Sequence, residues 1–152
     1  MGIDQDINQA KFRNEHQKVM INILYTYGWL TEKSKEFFAQ EEITPQQFNI
    51  LRILRGSHPQ PLSTLQIRER MLDKMSDTSR IVDRLVVKGF VKKGTCKSDR
   101  RLVDVIITDK GKKLLERIDE REEEMDKMTA NLSRKEAALL SDLLDKIREP
   151  QP

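Results

Sequence analysis

A mainly α-helical chain with a small β-hairpin is the fold class the sequence predicts, and three observations predict it. Apolar residues recur at three- and four-residue steps over most of the 152 positions. Helix-capping signatures open at Thr44, Ser63 and Ser133, each with Gln or Glu three residues on. One stretch, residues 90–107, abandons that period for two β-branched-rich runs separated by a polar loop. With 6 Gly, 5 Pro and 5% aromatic residues, the chain lacks the turn residues of a many-stranded sandwich or barrel.

Each element has a local reason. Residues 7–40 predict one long helix, with Ile7, Ala10, Met20, Leu24, Tyr27, Leu30, Phe37 and Phe38 along its stripe. Thr44 caps a second helix, Pro45 suits its first position and Gln47 completes the box. Phe48, Leu51 and Leu54 form its core stripe, and Gly56 is expected to stop it. Ser63 and Gln66 open a short helix to about Leu72, with Leu65, Ile67 and Met71 as expected core. After the connection at residues 73–75, Ser76 is the expected cap of a helix running to Lys88. Ile81, Val82, Leu85 and Val86 give it an apolar face, and Gly89 suits the left-handed residue that ends it.

Residues 90–94 and 102–107 predict the hairpin, with a basic tip at 95–101. Thr108 caps a long helix to about Asn131, its narrow stripe interrupted only at Arg121. Ser133 and Glu136 open a last helix, striped by Ala137, Leu140, Leu143, Leu144 and Ile147. The expected organisation is an N-terminal helix (1–40), a winged helix-turn-helix (41–111) and C-terminal helices (112–152).

Composition excludes several function classes. A single cysteine, Cys96, rules out an intramolecular disulfide and a multi-thiolate zinc site, and His16 and His58 have no companion at ligand spacing. Nucleophile, base and metal do not converge in any motif, so no enzyme and no cofactor is expected. The longest apolar-looking run, Val19 to Leu30, is short of the roughly 20 residues of a membrane helix. Asp4 and Asp6 stand where a basic leader would be, so a cytoplasmic location is expected.

Charge points to a polyanion. Residues 76–113 carry 11 basic and 5 acidic side chains, a net charge of +6 within a chain of net +3. Two short helices, a tight turn and a basic hairpin make a winged helix-turn-helix, whose second helix lies in the DNA major groove. That places Ser76, Asp77, Thr78, Ser79 and Arg80 nearest the base edges, with Arg84 one turn on. Arg80 can pair with guanine O6 and N7. At the tip, Arg100 and Arg101 suit a narrow minor groove, Asp99 suits an arginine-orienting role, and Lys92, Lys93 and Lys97 attract phosphate. The competing reading is a winged-helix protein–protein module without DNA binding.

These pieces together carry a family resemblance. Thr44-Pro45-Gln46-Gln47-Phe48-Asn49-Ile50-Leu51, Leu62-Ser63-Thr64-Leu65, Arg84-Leu85 and Lys88-Gly89-Phe90-Val91 fall in the order and spacing of the MarR family. They are followed by Asp99-Arg100-Arg101, Val105, Ile107-Thr108 and Lys110-Gly111, and the whole stretch resembles those bacterial transcription regulators. The resemblance implies a homodimer on a pseudo-palindromic operator, acting as a repressor on double-stranded DNA. It implies an interface from both termini, here carrying Ile7, Leu132, Leu140, Leu143, Leu144 and Ile147. It also places Arg101 in the minor groove, oriented by Asp99, while Lys93 stands where arginine is usual.

Release by small aromatic or phenolic acids is a further implication, with Tyr25, Trp29 and Phe48 as candidate lining. Their other reading is ordinary core or interface aromatics. Cys96, beside Lys97 and near Arg100, is a candidate redox thiolate.

Overall fold

The computed structural model describes residues 2–95 and 103–152. Cys96, Lys97, Asp99, Arg100, Arg101 and Leu102 therefore lie outside the described residues. Among the described residues, no helix is long and apolar enough to cross a membrane.

The N-terminal helix is shorter than its stripe suggests. A single turn, α1 (Ile3–Asp6), is followed by Asn8 at a positive φ of 53°, and α2 begins only at Glu15 and runs to Ala39. Asn14 sets that start, its side chain accepting from the Gln17 N–H at 2.9 Å. Ile7 is thus the C-cap of α1 and not part of the long helix.

Helix α3 (Pro45–Ser57) starts at the Thr44–Gln47 capping box, with both hydrogen bonds at 3.1 Å. Gly56 lies inside its last turn and does not end it. A two-residue strand, β1 (Leu62–Ser63), leads into α4 (Thr64–Arg70), again through a complete capping box, Ser63–Gln66. Helix α5 (Thr78–Val87) ends where Gly89 takes φ +79°. Its cap is Asp77, which accepts from the Arg80 N–H at 3.2 Å, and not Ser76.

Strands β2 (Val91–Thr95) and β3 (Val103–Ile107) pair antiparallel, Val91 opposite Ile107 and Thr95 opposite Val103. Strand β1 pairs with the other edge of β3, giving the order β1-β3-β2. Two residues are too short a run for an alternating pattern, so this third strand left no periodic signal in the sequence.

The expected long helix after the hairpin is broken. Thr108 caps α6 (Asp109–Asp119), accepting from the Gly111 N–H at 3.2 Å. The chain then turns at Glu120–Arg121 into α7 (Glu122–Asp126) and a 3-10 turn, Lys127–Thr129. Arg121, the interruption in the stripe, lies at that turn. Its guanidinium sits 4.3 Å from the centre of the Phe37 ring and donates to Glu124. That hydrogen bond is the main reason the Glu124 carboxyl titrates below its ordinary value and the guanidinium above its own. Helix α8 (Arg134–Ile147) follows the Ser133–Glu136 box.

The core gathers the end of α2, then α3, α4, α5, the sheet and α6. Ile50, Leu51, Ile67, Leu85, Val105, Leu114 and Leu115 are fully enclosed. It runs from Phe37 to Ile118, past the boundary expected at residue 111, because α6 seals the lobe through Leu114, Leu115 and Ile118. Leu65, expected in the core, is exposed, since α4 buries only the Ile67 side. Arg55 and Asp119 tie α3 to the end of α6 with two hydrogen bonds, at 2.6 and 3.3 Å.

Candidate nucleic-acid interface

The turn between α4 and α5 is held from below. Asn49 on α3 is buried, and its side-chain oxygen accepts from the Leu72 N–H at 2.8 Å. Asp73 accepts from the Met75 N–H at 3.0 Å. Helix α5 is therefore presented on a fixed turn, with Val82 and Leu85 in the core.

The opposite side of α5 faces solvent. Arg80, Arg84 and Val87, spaced at i, i+4 and i+7, are all exposed, as are Ser79 and Asp83. The hydroxyls of Ser76 and Thr78 are enclosed and have no hydrogen-bond partner among the described residues. Thr78 is only 4% exposed. Of the six candidates on this segment, Ser79, Arg80 and Arg84 are presented outward, Asp77 is the cap, and Ser76 and Thr78 keep their hydroxyls enclosed. Residue type alone could not separate these orientations, because the position of the cap, one residue later than expected, decides them.

Beside the start of α5 lies a cleft of 640 Å³ that the sequence reading missed. Its lining mixes polar and apolar side chains: Leu65 and Arg68 from α4, Met75 and Ser76 from the turn, Thr78 and Ser79 from α5, and Val103 from β3. The Ser63 cap was the available signal. It puts Leu65 at the second helical position and Arg68 three residues later, on the same face.

The wing is tied to α5. Lys93 on β2 donates to Asp83 at 2.5 Å. At the base, Thr108 donates to the Gly89 carbonyl at 2.7 Å and Lys110 to the Lys88 carbonyl at 2.8 Å. The tip candidates, Lys97, Asp99, Arg100 and Arg101, lie outside the described residues, as does Cys96.

The MarR family model matches residues 43–103, which span α3, β1, α4, α5, β2 and the start of β3. A solved MarR transcription factor from Planctomyces limnophilus is 32% identical, with 89% of this chain and 98% of that chain covered and a TM-score of 0.68. The chain belongs to the MarR family. It is a DNA-binding transcription regulator, not an enzyme. The HTH-type transcriptional regulator MhqR of Bacillus subtilis (strain 168) is 26% identical over 131 residues, 86% of this chain and 89% of that protein. A mutant MarR from E. coli, complexed with operator DNA, has the same fold at a TM-score of 0.80, covering 91% of this chain and 99% of that one at 24% identity.

The three aromatic candidates for a ligand site do not meet. Phe48 stacks on Phe38, ring centres 4.4 Å apart. Trp29 lies with Phe37 and Met128 along a cleft between α2 and α7, and Tyr25 is exposed on α2. Tyr25 and Trp29, four residues apart, share one face of α2, whereas Phe48 stands on α3 and turns to Phe38, so shared aromatic chemistry did not imply a shared site. A different cleft, 230 Å³, lies between α2 and the helix-turn-helix, lined by Tyr27, Leu30, Asn49, Met71 and Leu72. The Asn49 side-chain nitrogen, buried, has no hydrogen-bond partner among the described residues. Among the described residues, no cluster of His, Cys, Asp or Glu could hold a metal ion.

Proposed function

We propose that the chain works as a homodimeric repressor. Two copies join through α2 and the C-terminal helices and place paired α5 helices and wing tips on a pseudo-palindromic operator. The observation that carries this reading is an uncovered apolar surface on the terminal helices. Val19, Met20 and Leu24 on α2, and Leu140, Leu143 and Ile147 on α8, are exposed in the single chain, and Met20, Leu24 and Ile147 share one cleft. Ile7 and Leu144, both half-buried, and Leu132 belong to the same proposed interface.

Arg80 and Arg84 contact bases or phosphates in the major groove, and Arg101, oriented by Asp99, enters the minor groove beside Arg100 and Lys97. A small aromatic or phenolic acid releases the DNA by binding between α2 and the helix-turn-helix. Tyr27 and Asn49, rather than Tyr25, Trp29 and Phe48, support that location, because they line one cleft. The unsatisfied Asn49 N–H group suits an acid or phenol oxygen.

The test is a titration of duplex fragments from the source genome over salt, with the mass in solution measured in parallel. The expected result is a dimer whose affinity falls steeply with salt, as for about 6–10 neutralised phosphates, on half-sites about 10 bp apart. A monomer with no fragment bound in dilute buffer overturns the reading.

A further inference from the structure

The cleft beside the start of α5 has an apolar rim that neither the core nor the terminal helices use. Met75 is 92% exposed and Leu65 58%, and Val103 joins them from the first residue of β3. Exposed apolar residues scattered singly need no explanation, but three around one cleft do. Fraying does not explain Met75, because the turn that carries it is pinned on both sides, by Asn49 to the Leu72 N–H and by Asp73 to the Met75 N–H.

The occupant follows from charge and from what a duplex offers. Arg68 shares the cleft, Arg80 and Arg84 stand on the adjoining helix, and the surrounding block carries 11 basic against 5 acidic residues. A polyanion is thus the complementary partner. Of the groups that base pairs present in the major groove, one is apolar, the C5 methyl of thymine. Ser76 and Thr78 also line the cleft, but their hydroxyl oxygens are enclosed. This leaves Ser79 as the outward hydroxyl of the first turn.

We propose that Leu65, Met75 and Val103 form an apolar reading edge that selects thymine, through its methyl group, at operator positions facing the start of α5. The inference rests on the operator-binding reading above, with α5 in the major groove. It assigns these three residues to specificity and not to phosphate attraction. Their loss therefore changes which sequence is bound and leaves the salt dependence alone.

The experiment is selection of bound duplexes from two random pools, one built with thymidine and one with deoxyuridine, which lacks only that methyl. The full chain and its Leu65→Ala/Met75→Ala variant are both used. Binding of the selected consensus is then measured with thymine replaced by uracil at each position in turn. Both residues are exposed, so the variant is expected to keep the helical circular dichroism of the parent. Expected for the parent is an affinity loss of about fourfold per methyl at one or two positions of each half-site, the value of one buried methyl group. The variant loses less than about half of that on the logarithmic scale, with an unchanged salt slope. Selection of the same sequences from both pools, with no position sensitive to the methyl, overturns the proposal and leaves operator binding standing. Failure of the parent to enrich either pool overturns both.

Discussion

Lys93 on β2 reaches across to Asp83 on the outward side of α5 and pairs with it at 2.5 Å. The pair joins the wing to the helix proposed to enter the groove, and it cancels a carboxylate that would face phosphate. Both side chains are substantially exposed, so the pair itself contributes at most about 1 kcal/mol of stability. Its larger consequence is electrostatic. Asp83→Asn frees the Lys93 ammonium for phosphate, so the slope of log affinity against log salt should steepen by about 0.9 per added contact. Lys93→Ala should weaken binding instead, because Asp83 is left uncompensated. Fluorescence anisotropy across a salt series checks both, and identical slopes for Asp83→Asn and the parent would show that Lys93 stays off the DNA.

Arg101 carries the proposed minor-groove contact. Arg101→Ala should cost about 1–3 kcal/mol in operator affinity while sedimentation still reports a dimer. Unchanged affinity would mean that the wing tip does not touch the duplex.

Gly111 is required by packing, not by backbone conformation. A Cβ there would collide with the Phe90 carbonyl oxygen and stand 2.8 Å from the Ile107 side chain, both parts of the wing base. Gly111→Ala should therefore push α6 away from the hairpin and destabilise the lobe by about 1–3 kcal/mol, an overpacking cost. Urea unfolding measures it, and a midpoint equal to the parent's would show that α6 can shift freely.

The sequence reading succeeded where a local signal and a global one agreed. The three boxes at Thr44, Ser63 and Ser133, the Thr108 cap and the positive φ at Gly89 all stand as expected, since each is decided within four residues. It failed where one local signal overrode another, or where tertiary contacts decide. The stripe before Asn14 suggested continuous helix, yet a side-chain cap and Asn8 at positive φ start the helix later. The turn at Arg121 follows from Phe37 and Glu41, some 80 residues earlier in the chain, which no local pattern contains. At the candidate site, the arginines of α5 were legible from charge and spacing. The enclosure of the Thr78 hydroxyl depended on which residue caps α5, and the Leu65–Met75 cleft on how α4 packs against α5.

Acid should loosen the last helix through a single side chain. Glu136 accepts from the Ser133 N–H at 2.8 Å, and that hydrogen bond holds its carboxyl below the ordinary value of 4.5. A carboxyl lowered in the folded state stabilises above its unfolded value, and that contribution is lost as pH falls through the lowered folded value. The difference in unfolding midpoint between the parent and Glu136→Gln should be present at neutral pH and shrink as pH falls below 4.5. A difference that is constant over that range would show that the box works equally well without the charge.

The proposed dimer makes the sharpest demand on α8. Leu143 is exposed in the single chain and shares an apolar stripe with Leu140 and Ile147. The helix has its own complete capping box, so a change on the outward stripe leaves its start intact. Leu143→Glu would place a charge where the partner's apolar surface should sit, and burying an unpaired carboxylate is costly. If the stripe is a central contact, the dimer dissociation constant should rise by about 30-fold or more, the scale of a 2 kcal/mol hot spot. Operator affinity should fall with it, because two half-sites are no longer held by one particle. Helical circular dichroism should be retained at concentrations where the parent is dimeric. Sedimentation of Leu143→Glu as a dimer at the parent's own dissociation constant would move the interface off this face of α8.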